Sequence, residues 1–560
     1  MILILFSWIY SAFITLNLGL LFNKIAKLKS ICFITTIFLG TFLLTILASF
    51  WAFFGRIHFE FHLFILLLIV FNYIKFKADF LAICREFYEQ IQLISKPLRY
   101  FLLTLLFFIV LKSASSSSYI DNETYYIQSI KWLNEYGFVK GLANLHIFLG
   151  QMSGWHITQS ALNLSFLTSN FNDCNGFLLF ITNVYAVLKL NQVNNLKSNL
   201  IIALLPLVNL FFFQFISAPS PDLAVYIFSL FLFYVFTKNY KKQTIDSFNL
   251  IIIFSLFIVY IKITAIPLLL LPLSLFVSNY KLIISKIRFS LVLSGLILFI
   301  LIAKNTILTG LPLFPTNCYA HLVTVDYSIP PEVLKFWFNS AKLYESTVTS
   351  FEFMNMSGLE IFIKWLLYSK IDSVFNTIIF LIILVSPLFL WKYKNKKSNW
   401  IIYFTMLIQL LLLFLSSPQY RFILNFVVFF GLLFISHFVK RKKIISLLFI
   451  TSLFPIAFSV FITLYTDFNE MNSKKRRSFD ILVFPNENST IENSYKINKV
   501  GNLNYYSPAN KPYIWITGNG KLPAINKKQI DYFIQKNGCV PQKRTSNIKD
   551  GFFTLQIKKD

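Results

Sequence analysis

The stretch Ala114–Val139, ASSSSYIDNETYYIQSIKWLNEYGFV, is the first polar segment after about a hundred mostly apolar residues. It places two carboxylates, Asp121 and Glu123, two positions apart between a serine run and an aromatic helix start. An acid pair that follows the end of an apolar helix is expected at a membrane surface, a position that suits chemistry on lipid-borne substrates. Any catalytic partner of this pair must come from other helix ends at the same surface.

The composition is that of a membrane protein. Of 560 residues, 56% are hydrophobic and only 13% are charged, and 66 are Phe. Soluble globular domains lie far from these values, so a polytopic membrane protein is predicted. The net charge of +27 is explained by basic loops between apolar spans. No nucleic-acid partner is expected, because no basic segment is interleaved with exposed aromatic residues in a soluble domain.

Apolar runs of spanning or near-spanning length predict about fourteen crossings. The runs lie at about 1–22, 31–54, 61–74, 99–112, 176–190, 198–217, 223–238, 248–261, 264–278, 289–303, 371–390, 400–416, 422–438 and 443–465. The two runs between 248 and 278 are separated at Lys262. We interpret them as two short spans, and one long tilted helix is the alternative.

Basic loops define the expected orientation. Short loops rich in Lys and Arg are retained in the cytoplasm. Placing all of them there puts the amino terminus outside and assigns a common set of segments to the outer face. These are the loop with Asp121 and Glu123, the turn Ser217–Asp222, Lys262, the segment from Lys304 to about Asp372, and the turn Ser416–Arg421.

Three parts are predicted. Residues 1–98 form amino-terminal spans, residues 99–465 form a transmembrane core with outer loops 113–175 and 304–370, and residues 466–560 form a small soluble α/β or mainly β domain. Alternating residues such as Tyr513–Thr517 favour strands in the last part. Topology places this domain outside, in the periplasm, whereas the basic run Lys474–Arg477 after the last span favours the cytoplasm. We favour the outside, because domains of this length cross largely regardless of charge.

The acid pair has two interpretations. Asp121 or Glu123 takes a proton from an acceptor hydroxyl, or the pair holds Mg²⁺ or Mn²⁺, for which carboxylate oxygens are suitable ligands. The alternative is helix capping, with Ser118 or Asp121 at the cap and Glu123 in the first turn. Tyr125, which follows the pair, is a further candidate for substrate contact.

Other ionisable residues lie at predicted helix ends. Asp222 follows two prolines in SAPSPD, where it either contacts substrate or stabilises the helix start. Lys262 has apolar neighbours in IVYIKITAIP and must reach either water or a partner. Lys304 begins an irregular outer segment, and Arg421, in SSPQYRF, has the planar fork that suits bidentate phosphate binding. Interfacial anchoring is the alternative for Lys304 and Arg421.

The stretch His146–Leu167 is predicted to form one or two amphipathic helices lying on the outer membrane surface. It contains His146, Trp155 and His156. His156 is a candidate for substrate binding, although a single histidine on such a face is more often structural. No nucleophile elbow, Walker loop or zinc motif occurs, so the sequence gives no support to a hydrolase, a nucleotide-driven protein or a metalloprotease.

Together these residues resemble a known family. Six features look like those of bacterial GT-C-type glycosyltransferases. They are the acidic D-x-E pair, the amphipathic stretch after it, the Asp after a PSP turn, the lysine between two short spans, the KN-x-x-x-x-G-x-P-x-x-P segment that follows a span, and the late P-x-x-R-F turn. More narrowly, they resemble polytopic envelope proteins of that architecture. The resemblance covers about residues 100 to 465.

The resemblance implies an α-helical GT-C-like fold and inverting transfer of a sugar from a polyprenyl-phosphate donor to a glycan or lipid acceptor. The reaction would take place on the outer face of a bacterial inner membrane. Asp121 would be the base, Glu123 a metal or acceptor partner, and Lys262, Lys304 and Arg421 ligands of the donor phosphate.

Two features depart from the family pattern. Four crossings precede the acidic loop instead of one, and Lys304 stands where an arginine is common. A flippase or exporter of lipid-linked saccharides, or a polymerase, is the alternative function. An exporter would need polar residues along its spans, which here are almost entirely Phe, Leu and Ile.

Overall fold

The computed structural model describes residues 1–29, 32–117, 119–168, 174–192, 198–318, 324–342, 355–368, 371–393, 397–465, 479–487, 489, 494–509 and 513–557. Its helices are α1 Ile2–Ala26, α2 Phe33–Phe54, α3 Phe59–Gln92, α4 Lys96–Ala114, α5 Ile127–Glu135, α6 Gly154–Leu162, α7 Cys174–Asn191, α8 Ser198–Ala203, α9 Asn209–Phe212, α10 Pro221–Asn239, α11 Ile245–Ile261, α12 Leu270–Ser278, α13 Tyr280–Ile284, α14 Arg288–Thr309, α15 Pro331–Lys342, α16 Gly358–Leu366, α17 Ile371–Lys392, α18 Lys397–Ser416, α19 Leu424–Phe438, α20 Lys442–Tyr465 and α21 Lys527–Asn537.

Nine helices within these ranges are long and apolar enough to cross a membrane. They are α1 to α4, α10, α14, α17, α18 and α20. Four shorter apolar helical stretches accompany them: Leu205–Phe215, Ile245–Ile261, Ile263–Ser278 and Leu424–Phe438. The prediction of a helical multi-pass membrane protein is therefore confirmed. The count of about fourteen crossings stays a prediction.

The helix α3 is longer than the apolar run 61–74 indicated. It continues to Gln92 through a kink at Phe76, so most of the basic segment after residue 74 is helical. The ring of Phe87 stacks on that of Phe33 in α2, with centroids 4.0 Å apart. Lys24 also pairs with Asp79 at 2.8 Å. These contacts hold the second half of α3 against its neighbours.

The chain is divided at Lys262, as the sequence predicted. Lys262 has an extended backbone, with φ −151° and ψ 113°, and it ends α11. A 3₁₀ segment, Ile263–Leu269, then leads into α12. The extended backbone turns the side chain of Lys262 out of the helix and toward other helix ends.

The prediction of surface helices at 146–167 is wrong. This region forms one 3₁₀ turn, Ile147–Gln151, and the short helix α6, every residue of which is buried. Trp155 donates to the Asn175 side chain at 2.6 Å. Other helices and the carboxy-terminal part cover the apolar face that we expected to contact lipid head groups.

The carboxy-terminal part is a small α/β unit. Strands β1 Tyr495–Val500 and β2 Leu503–Pro508 pair antiparallel, as do β3 Cys539–Lys543 and β4 Phe552–Gln556, and α21 precedes β3. The stretch Tyr513–Thr517 is not a strand, contrary to its alternating pattern. Trp515 packs instead on His146, with ring centroids 5.3 Å apart.

This unit lies against the acidic segment. The backbone N–H groups of Thr517 and Gly518 donate to the Glu123 carbonyl at 2.9 and 2.8 Å, and Gln128 donates to the Gly518 carbonyl at 2.9 Å. The unit and the acidic loop therefore share one side of the helical core. The basic run 474–477, which favoured the other side, lies outside the described residues.

Candidate functional site

Asp121 lies immediately before the π-helical turn Asn122–Tyr126. Its Oδ2 accepts hydrogen bonds from Arg421 Nη1 at 2.7 Å and from the Tyr126 hydroxyl at 3.4 Å. The same guanidinium nitrogen donates to the Tyr119 hydroxyl. π-helical turns are rare and occur frequently at functional sites. The carboxylate is thus fixed by a cation that lies 300 residues away in the chain.

Asp222 is the second residue of α10 and is buried, with 1% of its side chain exposed. The predicted capping role is taken by Ser220, whose hydroxyl accepts the Asp222 N–H at 3.3 Å. The Asp222 carboxylate pairs with the Lys262 ammonium, and its Oδ2 lies 3.7 Å from Arg421 Nη1. Asp222 therefore lies beside two cations from other segments, and it shares Arg421 with Asp121.

The two cations are held by further contacts. The Lys262 ammonium lies 3.9 Å from the centre of the Phe422 ring, a cation–π contact. Arg421 Nε donates to Gln419 at 2.7 Å, and the Tyr226 hydroxyl donates to the Arg421 carbonyl at 2.7 Å. We call Asp121, Asp222, Lys262 and Arg421 the ion cluster.

Lys304 does not join the ion cluster. Its ammonium is buried, donates to the Met152 carbonyl at 2.6 Å and lies 5.6 Å from the centre of the Tyr260 ring. Within the part of the chain that the structure describes, no carboxylate pairs with it. Lys304 is therefore a buried positive charge that lacks a counter-ion among those residues.

His156 lies close to the ammonium groups of both Lys304 and Lys262. Its ring is 4.9 Å from the Tyr126 ring, and burial, together with the nearby ammonium groups of Lys304 and Lys262, lowers the pKa of His156 to about 3. The imidazole is therefore neutral at pH 7. Nδ1 accepts the Ser153 N–H at 3.4 Å, which assigns the proton to Nε2. That buried Nε2–H has no hydrogen-bond partner among the described residues.

Glu123 points away from the cluster, whereas Tyr125 packs beside it. Glu123 Oε2 accepts from the Ser489 hydroxyl at 2.7 Å. The Tyr125 ring stacks on Phe148 at 5.3 Å and lies 4.7 Å from the Tyr126 ring and 6.0 Å from the His156 ring. Asp121 and Glu123 therefore bind different partners, and the pair does not fit the predicted Mg²⁺ or Mn²⁺ site. Across the described ranges, no three His, Cys, Asp or Glu side chains form a group that could hold a metal ion.

Comparison with known proteins identifies the family. A family model described as a domain of unknown function (DUF8201) matches residues 1–428. The chain belongs to the DUF8201 family. No curated protein and no solved structure matches it.

The DUF8201 region contains the whole ion cluster together with Lys304 and His156, and it ends seven residues after Arg421. The carboxy-terminal unit that binds the acidic turn lies beyond the matched residues. The family match therefore covers the candidate site and excludes Ser489 and Thr517, which hold Glu123.

Three residues that contact the candidate site or its acidic turn were missed by the sequence analysis. Tyr119 contacts Arg421. Its position two residues before Asp121 could have indicated that it belongs to the site. Tyr226 lies four residues after Asp222, a spacing that places both on one face of α10. Ser489 is 366 residues from Glu123, and no local pattern indicates that contact.

Proposed function

We propose that this protein is an inverting glycosyltransferase of a bacterial inner membrane. It transfers a sugar from a polyprenyl-phosphate donor to a glycan or lipid acceptor at the outer face. The observation that carries the proposal is the convergence of two carboxylates and two cations from four separate helix ends. The ammonium groups of Lys304 and Lys262 both act on the ring of His156.

Lys304 favours an anionic ligand over a purely structural role for this region. Burial of an ammonium group is strongly unfavourable unless an anion compensates its charge. The ion cluster already balances Lys262 and Arg421 with Asp222 and Asp121, whereas the contacts of the Lys304 ammonium among the described residues are with a carbonyl and a ring. A lipid phosphate supplies the missing charge, and the Nε2–H of His156 is available to one of its oxygens.

The carboxylates take different roles. Within the described part of the chain, both hydrogen bonds of the Asp121 carboxylate go to Oδ2, so its Oδ1 is available for the proton of an acceptor hydroxyl. The acceptor oxygen attacks the sugar C1 from the face opposite the phosphate and forms the new C–O bond. The bond from C1 to the phosphate oxygen breaks, its electron pair stays on the phosphate, and the hydroxyl proton passes to Asp121. Lys304 and Arg421 offset the charge of the leaving phosphate, and Asp222 positions the cations.

A transfer assay tests the proposal. Membranes that contain the wild type or Asp121→Asn are incubated with a panel of radiolabelled polyprenyl-phosphate sugars and cell-envelope acceptors. Asp121→Asn is expected to lower transfer by about 10²-fold or more, since general bases contribute that much, while the amount of protein in the membrane is unchanged. Asp246→Asn, a matched change in the first turn of α11, leaves transfer unchanged.

Lys304→Met separates binding from chemistry. This variant is expected to raise the donor KM, because the phosphate loses its unshared cation. Equal transfer by the wild type and Asp121→Asn would exclude the catalytic role of Asp121. Movement of labelled lipid across vesicles without any transfer product would instead establish the exporter alternative.

A further inference from the structure

A second concave site lies at the membrane boundary and shares no residue with the ion cluster. It is a cavity of about 300 Å³, within the range of small-ligand pockets. Three parts of the chain line it: the α2–α3 connection, the end of α5, and a turn of the carboxy-terminal unit. The lining residues are Trp51, Gly55, Arg56, Glu60, Glu135, Tyr136 and Lys549.

The walls of this cavity are fixed by backbone contacts. The Phe138 N–H donates to the Ala52 carbonyl at 2.8 Å, and the Ile57 N–H donates to the Leu133 carbonyl at 2.9 Å. Gly137, at φ +78°, passes so close to Gly55 that a Cβ atom would lie 2.4 Å from the Gly55 carbonyl oxygen. The cavity is therefore preformed, which lowers the ordering entropy that a ligand must overcome.

The third wall is equally well anchored. Lys549 lies in the 3₁₀ turn Ile548–Asp550, where its N–H is capped by the Asn547 side chain at 3.0 Å. The next strand follows at once, and the Phe552 N–H donates to the Lys140 carbonyl at 2.9 Å. This contact fixes the turn that carries Lys549 at the edge of the cavity.

Exposed apolar residues place the cavity at the level of lipid head groups. Phe54, the last residue of α2, is 84% exposed, and Phe59, the first residue of α3, is 54% exposed. In a membrane protein, exposed apolar side chains at helix ends face lipid chains. Trp51 and Tyr136 in the lining are the residue types enriched at membrane–water interfaces.

The lining carries both signs of charge. Arg56 pairs with Glu60 at 2.6 Å. Glu135 and Lys549 form no ion pair within 4.0 Å among the described residues, so one carboxylate and one ammonium face the same cavity. Lys131, one turn before Glu135 on α5, interacts with that carboxylate over a longer distance, and its ammonium is held by the Asn519 and Gly520 carbonyls. A neutral sugar would use neither charge fully, and an acidic lipid would leave Glu135 facing its negative head group.

We propose that this cavity binds the head group of a zwitterionic phospholipid that carries a phosphate and a primary ammonium group. Lys549 binds the phosphate, Glu135 binds the ammonium, and the acyl chains extend along the exposed face beside Phe54 and Phe59. The site is independent of the proposed glycosyl transfer.

Binding of soluble short-chain lipids tests this assignment. Dihexanoyl phosphatidylethanolamine is titrated into the purified full-length protein and followed by intrinsic tryptophan fluorescence. Dihexanoyl phosphatidylglycerol, which has the phosphate but no amine, and N-acetylglucosamine serve as competing ligands. The wild type is expected to bind the ethanolamine lipid about tenfold more tightly than the glycerol lipid, since one hydrogen bond to a charged group is worth about that factor.

Two variants complete the test. Lys549→Ala is expected to weaken the binding of both lipids about tenfold, and Glu135→Gln is expected to abolish the preference for the ethanolamine lipid. Lys499→Ala, an exposed lysine of the same carboxy-terminal unit that does not line the cavity, leaves both affinities unchanged. Equal binding of the two lipids by the wild type, or unaltered preference in Glu135→Gln, would overturn the proposal. Saccharide binding that depends on Lys549 would also overturn it and would identify a glycan site.

Discussion

Replacement of Asp222 by asparagine is expected to destabilise the ion cluster strongly. Asp222 is 1% exposed and pairs with Lys262. Loss of one partner of a buried ion pair costs about 3–5 kcal/mol, because the other charge stays buried and uncompensated. The Lys262 side chain is 21% exposed, and Arg421 keeps Asp121. We therefore expect the lower part of the range, about 3 kcal/mol.

The double variant Asp222→Asn/Lys262→Met removes both charges and is expected to recover about 2 kcal/mol of that loss. Together with the single variant Lys262→Met, it completes a cycle that measures the coupling between the two residues. Unfolding of the purified protein by sodium dodecyl sulfate in mixed micelles, followed by tryptophan fluorescence, gives the free energies. Asp246→Asn removes a first-turn carboxylate of α11 and is expected to cost at most about 1 kcal/mol. If Asp222→Asn costs no more than this control, or if the two single changes are additive, the electrostatic account of the cluster is refuted.

Two further predictions concern the region around the carboxy-terminal unit. Thr517→Val removes the hydrogen bond of 2.7 Å from Oγ1 to the Thr124 carbonyl. The change is expected to lower the free energy of unfolding by about 1 kcal/mol and to speed amide hydrogen exchange in residues 122–126. Unchanged exchange, measured by mass spectrometry, would contradict the described contact. Burial lowers the pKa of His146 to about 4, below its value of about 6.5 in the unfolded chain, so protonation favours the unfolded state as the pH falls through this window. The wild type is expected to lose about 2–3 kcal/mol more stability than His146→Gln between pH 7 and pH 4.5, and parallel pH profiles in the same unfolding assay would disprove this.

The ion cluster was accessible from the sequence because its members stand out locally. Lys262 is a charge among apolar residues, Arg421 is a cation in a short turn, and Asp222 follows helix-breaking prolines. Their common side could be inferred from the alternation of apolar runs and basic loops. That they touch one another is a finding of the structure, since the sequence placed them only on one surface.

The contacts of the acidic turn were not accessible in this way. The sequence treated Asp121 and Glu123 as one pair, yet the π-helical turn directs them to different partners, Arg421 and Ser489. Both partners lie at least 300 residues away, and such pairings depend on how whole elements pack. The buried position of 146–162 was missed for the same reason, because an amphipathic pattern gives an apolar face but does not say what covers it.

The attachment of the acidic turn to the carboxy-terminal unit sets the order in which the protein matures. The hydroxyl that binds Glu123 is synthesised 366 residues after it, so ribosomes release most of the membrane helices before this turn receives its support. During insertion, the nascent chain therefore carries Asp121 on a turn that still lacks its hydrogen bonds to the carboxy-terminal unit. On the proposed function, the enzyme becomes competent only when its last folded segment has docked, and prematurely terminated chains would be inserted but inert.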